Sequence, residues 1–309
     1  MDRFTDELFA HLSEHGYQAR MMSIDHLTSL QKGIDEIRDQ ALFNNEFYQE
    51  RLNFFNFQIP ESLPEARSLI VAAVPRPQTR AIFTWKNRRA PLIIPPTYTS
   101  YDGMIRQFKN LVARFLKGKK YKSEKAALPL KLLAVRSGLC QYGRNNICYV
   151  PGMGSFFQLV AVCSDMPCEE DSWQEVKMME SCRKCELCRK ACPTGAIPSD
   201  RFLLRAELCI TYHNEKKGDV AFPNWIDASW HNCLVGCMRC QRTCPENTKF
   251  IQWFGGEEEF SERETALLLK DGPVNKLRAT TLTKLKNLDL VDYLDSLPRN
   301  LSVFFDKPE

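Results

Sequence analysis

Cys182, Cys185, Cys188 and Cys192, with Pro193 directly after, spell C-x2-C-x2-C-x3-C-P. Thiolates at this spacing on a tight loop wrap a cuboidal iron–sulfur cluster, and the thiolate before the proline reaches the other cluster of a pair. A second, half-matching run follows in Cys237, Cys240 and Cys244 with Pro245. A two-cluster electron relay is the reading that both runs favour, because disulfide chemistry rarely produces this spacing twice.

The two runs hold seven cysteines, one short of the four thiolates that each of two 4Fe–4S clusters takes. Cys209 and Cys233 both stand between the runs. Cys233 lies x3 rather than x2 from Cys237 and does not complete the usual pattern. The expected assignment therefore crosses the runs. Cys182, Cys185, Cys188 and Cys244 hold one cluster, and Cys192, Cys209, Cys237 and Cys240 the other, with Cys233 as the alternative to Cys209. Zinc is the rival metal, but four-cysteine zinc sites come as separated C-x2-C pairs. Cys140, Cys148, Cys163 and Cys168 have no metal spacing and are expected as small buried hydrophobes. His213 and His231 fall inside the cysteine-rich stretch and are candidates for hydrogen bonds to cluster sulfur.

Thirteen cysteines in 309 residues could suggest a secreted disulfide scaffold, yet the number is odd and nine of them crowd positions 182–244. Thiols kept for metal, in a cytoplasmic protein, fit better. No run is long and apolar enough to span a membrane, and the acidic, amphipathic start MDRFTDELFAHLSEHG is unlike a secretory signal. The net charge of +4 is unevenly spread. Eight basic residues lie between Arg106 and Lys125 against the single acid Glu124. This is the solvated side of a helix whose Ile105, Phe108, Leu111, Val112, Phe115 and Leu116 point inward, or a landing strip for phosphates or an acidic redox partner.

The expected fold class is α+β. Residues 1–66 read as a helical segment closed by Pro60 and Pro64. Residues 67–172 read as an α/β domain, 173–250 as a two-cluster ferredoxin-like module, and 251–309 as a helical cap. Within this plan, 68–75 is a buried strand, 75–97 an irregular Pro-rich loop, and 101–116 a helix. Residues 146–150 and 156–164 are expected to pair around the turn 151–154. Helices are expected over 262–269 and 277–288, while 128–135 is helix or strand. Neither a dinucleotide fingerprint nor a P-loop is present. A glycine-bounded polar turn, Ser137 to Asn146, could approach a cofactor closely, with Arg144 and Asn145 as donors.

At these positions the chain resembles the epoxyqueuosine reductase family, cobalamin-dependent iron–sulfur enzymes distantly like reductive dehalogenases. The family's G-L-G-W-I-G-K-N-T is similar to Gly138–Asn146, and its G-S-W-F-F to Gly154, Ser155, Phe156 and Phe157. Its C-P-T-x-A-I matches Cys192–Ile197, its C-I-S-Y matches Cys209–Tyr212, and its G-C-x-x-C-Q-x-x-C-P matches Gly236–Pro245. The resemblance covers roughly 65–250 and supports Cys209 as a ligand. It implies that the α/β domain over 67–172 is of cobalamin-binding type, and that two 4Fe–4S clusters reduce a bound cobalamin without a protein lower ligand. It also implies an external low-potential donor of ferredoxin or flavodoxin type, and a tRNA or another substrate. Cobalamin contacts are expected at Gly138, Tyr142, Gly143, Arg144, Asn145, Gly154 and Ser155. The family's catalytic aspartate lies fourteen residues before the first turn glycine, which without gaps is Glu124. Cys140 and Gln141 depart from the family's glycine and tryptophan. The alternative is a ferredoxin-type electron carrier or activator without its own substrate.

Overall fold

The computed structural model describes residues 3–98, 101–270 and 277–305. Parts of the N-terminal segment and of the expected cap, residues 1–2, 271–276 and 306–309, lie outside the described residues. The chain begins with α1 (Arg3–Glu14), β1 (Gln18–Ser23), α2 (His26–Asp39) and α3 (Asn45–Arg51). Three strands follow, β2 (Ser68–Pro75), β3 (Gln78–Trp85) and β4 (Arg88–Ile94), and then α4 (Tyr101–Lys117). Next come β5 (Ser123–Lys125), α5 (Leu130–Arg136), β6 (Gln141–Tyr142), β7 (Cys148–Tyr149) and β8 (Phe157–Ser164). The cysteine-rich stretch holds only short helices, α6 (Leu187–Ala191), α7 (Ile210–Asn214) and α8 (Arg239–Arg242). The tail forms β9 (Phe254–Phe260), α9 (Glu262–Leu269), α10 (Ala279–Asn287) and α11 (Leu297–Phe305). Among the described residues, no helix is long and apolar enough to cross a membrane.

The chain forms two compact units of interleaved segments. One comprises 1–75, 101–186 and 199–204, and the other 76–100, 187–198 and 205–309. The first is built on an antiparallel sheet of order β1-β2-β8-β5. Side chains alternate across a strand, so β2 sends Leu69, Val71 and Ala73 to one core and Ile70 and Ala72 to another. Leu27 and Leu30 of α2 and Leu133 to Val135 of α5 close the first face. Leu8 and Leu12 of α1, with Met104, Phe108, Val112 and Leu116 of α4, close the second. A sheet covered on both faces needs apolar residues at every position, which is why SLIVAAVP runs without alternation.

The structure corrects two local expectations in this unit. Gln18–Ser23 is an edge strand inside the segment read as all-helical, with Gln18 paired to Ala73. β8 pairs with β2 and β5 rather than with 146–150. β7 instead pairs with β6, and Val150 bridges only to Gly154 within the turn. Long apolar β8 finds more burial in the middle of a sheet than a two-residue neighbour could offer. The stretch at 128–135, expected as helix or strand, is helical from Leu130 as α5.

The second unit has a sheet of order β4-β3-β9, antiparallel across β3 and β4 and parallel across β3 and β9. The irregular loop expected over 75–97 is this hairpin, a further correction. Its two-residue turn, Lys86-Asn87, has positive φ at both positions, 47° and 61°, the geometry that matches strand twist. Pro91 is tolerated because β4 is an edge. Phe83 stacks on Phe260 at 4.6 Å, and Leu268, Leu285, Leu297 and Leu301 from α9, α10 and α11 cover that face.

Candidate metal centre

The cysteines sit on turns and helix starts. Cys182 ends a 3-10 turn, Cys188 lies on α6, Cys209 caps α7, and Cys244 caps the 3-10 turn Pro245–Asn247. Such positions offer backbone N–H groups to sulfur. Cys209 sulfur accepts from the backbone N–H groups of Thr211 and Tyr212 and from the Thr211 hydroxyl, and Cys237 sulfur from the N–H of Arg239. None of the thirteen cysteines, all of them among the described residues, is in a disulfide.

Cys192, Cys209, Cys237 and Cys240 lie in the second unit within electrostatic reach of one another. Burial first, then the charges of Cys237, Cys209 and Cys192, push the Cys240 thiol well up. Cys237 is pushed up to about 12 by burial, with Cys209 and Cys192 adding to it against the Arg239 N–H. Cys209 is raised by burial and by Cys192. Thiols gathered so closely resist becoming thiolates unless iron supplies compensating positive charge, so the donor set fits a cluster. A single tetrahedral zinc with bonds of about 2.3 Å would draw its sulfurs to about 3.8 Å apart. Among the described residues, no three cysteine sulfurs lie within even 4.8 Å of one another.

Cys233 is fully buried, bridges through its backbone to Ile93, and is raised by burial and then by Cys237. Cys209 acts on both Cys237 and Cys240, which favours it over Cys233 as the fourth member of this set. The other expected set is divided by membership, Cys182 and Cys185 in the first unit, Cys188 and Cys244 in the second. Cys188 also acts on Cys240, and α6 packs against α8.

In the first unit the glycine turn braces the first cysteine loop. Tyr142 N–H donates to the Lys177 carbonyl at 3.0 Å, and Met179 N–H to the Tyr142 carbonyl at 2.9 Å. Arg144 donates from Nε to the Cys185 carbonyl at 2.8 Å, and from Nη2 to Cys182 at 2.7 Å and Arg183 at 3.1 Å. Its guanidinium is thus committed to the backbone of the loop carrying two ligand candidates, a connection that sequence reasoning missed. Spacing could not reveal it, because the partners are carbonyls about forty residues away. Asn145 donates to the Tyr149 hydroxyl at 3.0 Å. A Cβ on Gly143 would meet Asn145 Oδ1 and Tyr149 at 2.6 Å, so this glycine is required by close internal packing. Gly138 has a φ of 72° and Gln174 over it. Ser155 is buried, Gly154 has a φ of 56°, and the space beside neighbouring Gly152 is open.

Glu124 on β5 pairs with Lys109 Nζ at 2.6 Å and accepts the Lys125 N–H at 2.9 Å. Lys109 and Lys125 hold its carboxyl below the usual range, so it stands as an ionised carboxylate rather than an acid. His213 Nε2 donates to the Glu207 carbonyl at 2.8 Å, and His231 packs edge-on against Phe222. Cys140 and Cys148 hydrogen-bond each other in the core, and Cys163 is buried. Cys168 is half-buried.

Comparison with known proteins bears on this geometry. A family described as "4Fe-4S double cluster binding domain" matches residues 181–247. Epoxyqueuosine reductase of Staphylococcus aureus is 29% identical over 195 residues, 60% of this chain and 50% of that protein. That of Bacillus subtilis is 27% identical over 256 residues, 75% of this chain and 64% of that protein. The chain thus spans half to just under two thirds of these relatives' length. A solved epoxyqueuosine reductase from Bacillus subtilis superposes with a TM-score of 0.69 at 21% identity, covering 97% of this chain and 80% of that one. Another, solved with an epoxyqueuosine-modified tRNA-Tyr stem loop, has a TM-score of 0.69 at 22% identity over the same shares. The chain thus contains a double 4Fe–4S cluster binding domain and is similar in sequence and in fold to epoxyqueuosine reductases.

Proposed function

We propose that the chain is a reductase that passes electrons through two 4Fe–4S clusters to a bound cobalamin and on to a substrate. The observation that carries this reading is the gathering of Cys192, Cys209, Cys237 and Cys240 within the double-cluster domain. Cys182, Cys185, Cys188 and Cys244 would hold the other cluster. Gly154 and Ser155 would be the part of the glycine loop that contacts the corrinoid. Gly138, Tyr142, Gly143, Arg144 and Asn145 would form the frame behind it. Bound, the clusters supply single-electron transfer and the corrinoid the reducing power, while the protein positions the substrate and excludes water.

Along the chain, 1–66 would be the leading segment, 67–172 would serve cofactor and substrate, 173–250 the clusters and 251–309 a cap. Electrons would come from a ferredoxin- or flavodoxin-type donor in the cytoplasm. A tRNA substrate is supported by the solved relative bound to a tRNA stem loop and by the exposed Arg106 and Arg114 on α4. Binding to tRNA should then weaken steeply with salt.

Anaerobic reconstitution with iron, sulfide and cobalamin tests the reading. A retained corrinoid with both clusters present supports the reductase. Both clusters without any retained corrinoid would overturn it in favour of an electron carrier.

A further inference from the structure

Helix α1 runs into His11-Leu12-Ser13-Glu14-His15, which spells H-x-x-E-H. Histidines four apart share one face of a helix, and in this motif the paired imidazoles bind zinc while the glutamate stands beside it. The structure brings the ligand atoms of His11, Glu14 and His15 within 4.8 Å of one another. His15 Nδ1 lies 2.9 Å from the His11 carbonyl oxygen. A carbonyl only accepts, so the proton is on Nδ1 and the Nε2 lone pair of the neutral ring is left for a cation. Ligating histidines are commonly oriented by such a backbone contact. The His11 ring is held against Phe115 at 5.4 Å, and its Nε2 is buried without a hydrogen-bond partner. The trio also stands at the carbonyl end of α1, where the helix dipole favours positive charge.

We propose that His11, Glu14 and His15 form a binding site for one divalent transition-metal ion. Two imidazoles and a carboxylate with a vacant position suit zinc above the harder cations. His15 also lines a cleft of about 410 Å³ shared with Arg106, Gln107, Asn110 and Arg114 of α4. The two guanidinia disfavour a bare dication there and favour one whose open position carries hydroxide or a phosphate oxygen. The proposal is independent of the cluster assignment, since it uses no cysteine.

The test is a zinc titration of the cluster-reconstituted chain, with bound zinc counted after dialysis in wild type, His15→Gln and Glu14→Gln. Because empty cysteine sites also take zinc, the readout is the difference between wild type and variant, and both substituted side chains are exposed. Wild type is expected to retain one zinc more than His15→Gln, with Glu14→Gln at least about tenfold weaker than wild type. Far-UV circular dichroism checks that α1 persists. Equal zinc retention by wild type and His15→Gln would overturn the proposal, as would no retention by wild type at submillimolar zinc.

Discussion

Arg144 donates to three carbonyls of the first cysteine loop, a fork that lysine cannot reproduce with its single ammonium. Hydrogen bonds from a charged donor contribute roughly 1.5–3 kcal/mol each when well made. Arg144→Gln is expected to lower the thermal midpoint and the iron retained after desalting, with Arg144→Lys between it and wild type. Unchanged iron and midpoint in Arg144→Gln would mean that the loop holds its shape unaided. Glu124 makes the opposite prediction. Its pair with Lys109 is about one-third exposed on each side, so Glu124→Gln should cost only about 0–1 kcal/mol and leave turnover unaltered. A large fall in turnover at constant stability would restore Glu124 as a proton donor. The cysteine candidates were legible because metal spacing is written along the chain. The partner of Arg144 was not, because a backbone carbonyl has no sequence signature.

Helix α9 is an element whose start could be read directly. Ser261 and Glu264 form a capping box, and Glu264 also accepts from Lys284 at 2.9 Å and from Thr281 at 2.9 Å. Burial alone would raise the Glu264 carboxyl, but Lys284, Ser261 and Thr281 outweigh it and hold it at about 2. A depressed carboxylate stabilises the fold above its unfolded pKa and loses that contribution as pH falls through the folded value. This part of the stability should be intact above about pH 4.5 and fade towards about pH 2. Glu264→Ala should cost about 1–2 kcal/mol at neutral pH and flatten that acid limb, measured by denaturant unfolding across pH. The same acid limb in the variant would remove Glu264 as its source. Strand β9 was far less legible. Phe-Gly-Gly-Glu-Glu-Glu-Phe has poor strand composition, and it pairs because Glu257 meets Arg80 at 2.8 Å and Phe260 stacks on Phe83. The β3–β4 hairpin was hidden by the prolines that flank and interrupt it.

At the scale of the whole chain, the α+β character followed from one unbroken apolar strand among amphipathic helices. The interleaving did not, because no composition change marks where the chain passes from one unit to the other at 75, 100, 186, 198 and 204. The candidate cysteine ligands are likewise drawn from stretches far apart in sequence, and the mutual influence of Cys192, Cys209, Cys237 and Cys240 favours the grouping that their spacing suggests. That grouping is most directly tested by iron per chain after anaerobic reconstitution of wild type, Cys209→Ser and Cys233→Ser. About eight, about four and about eight iron atoms are expected respectively. About eight for Cys209→Ser with about four for Cys233→Ser would contradict it.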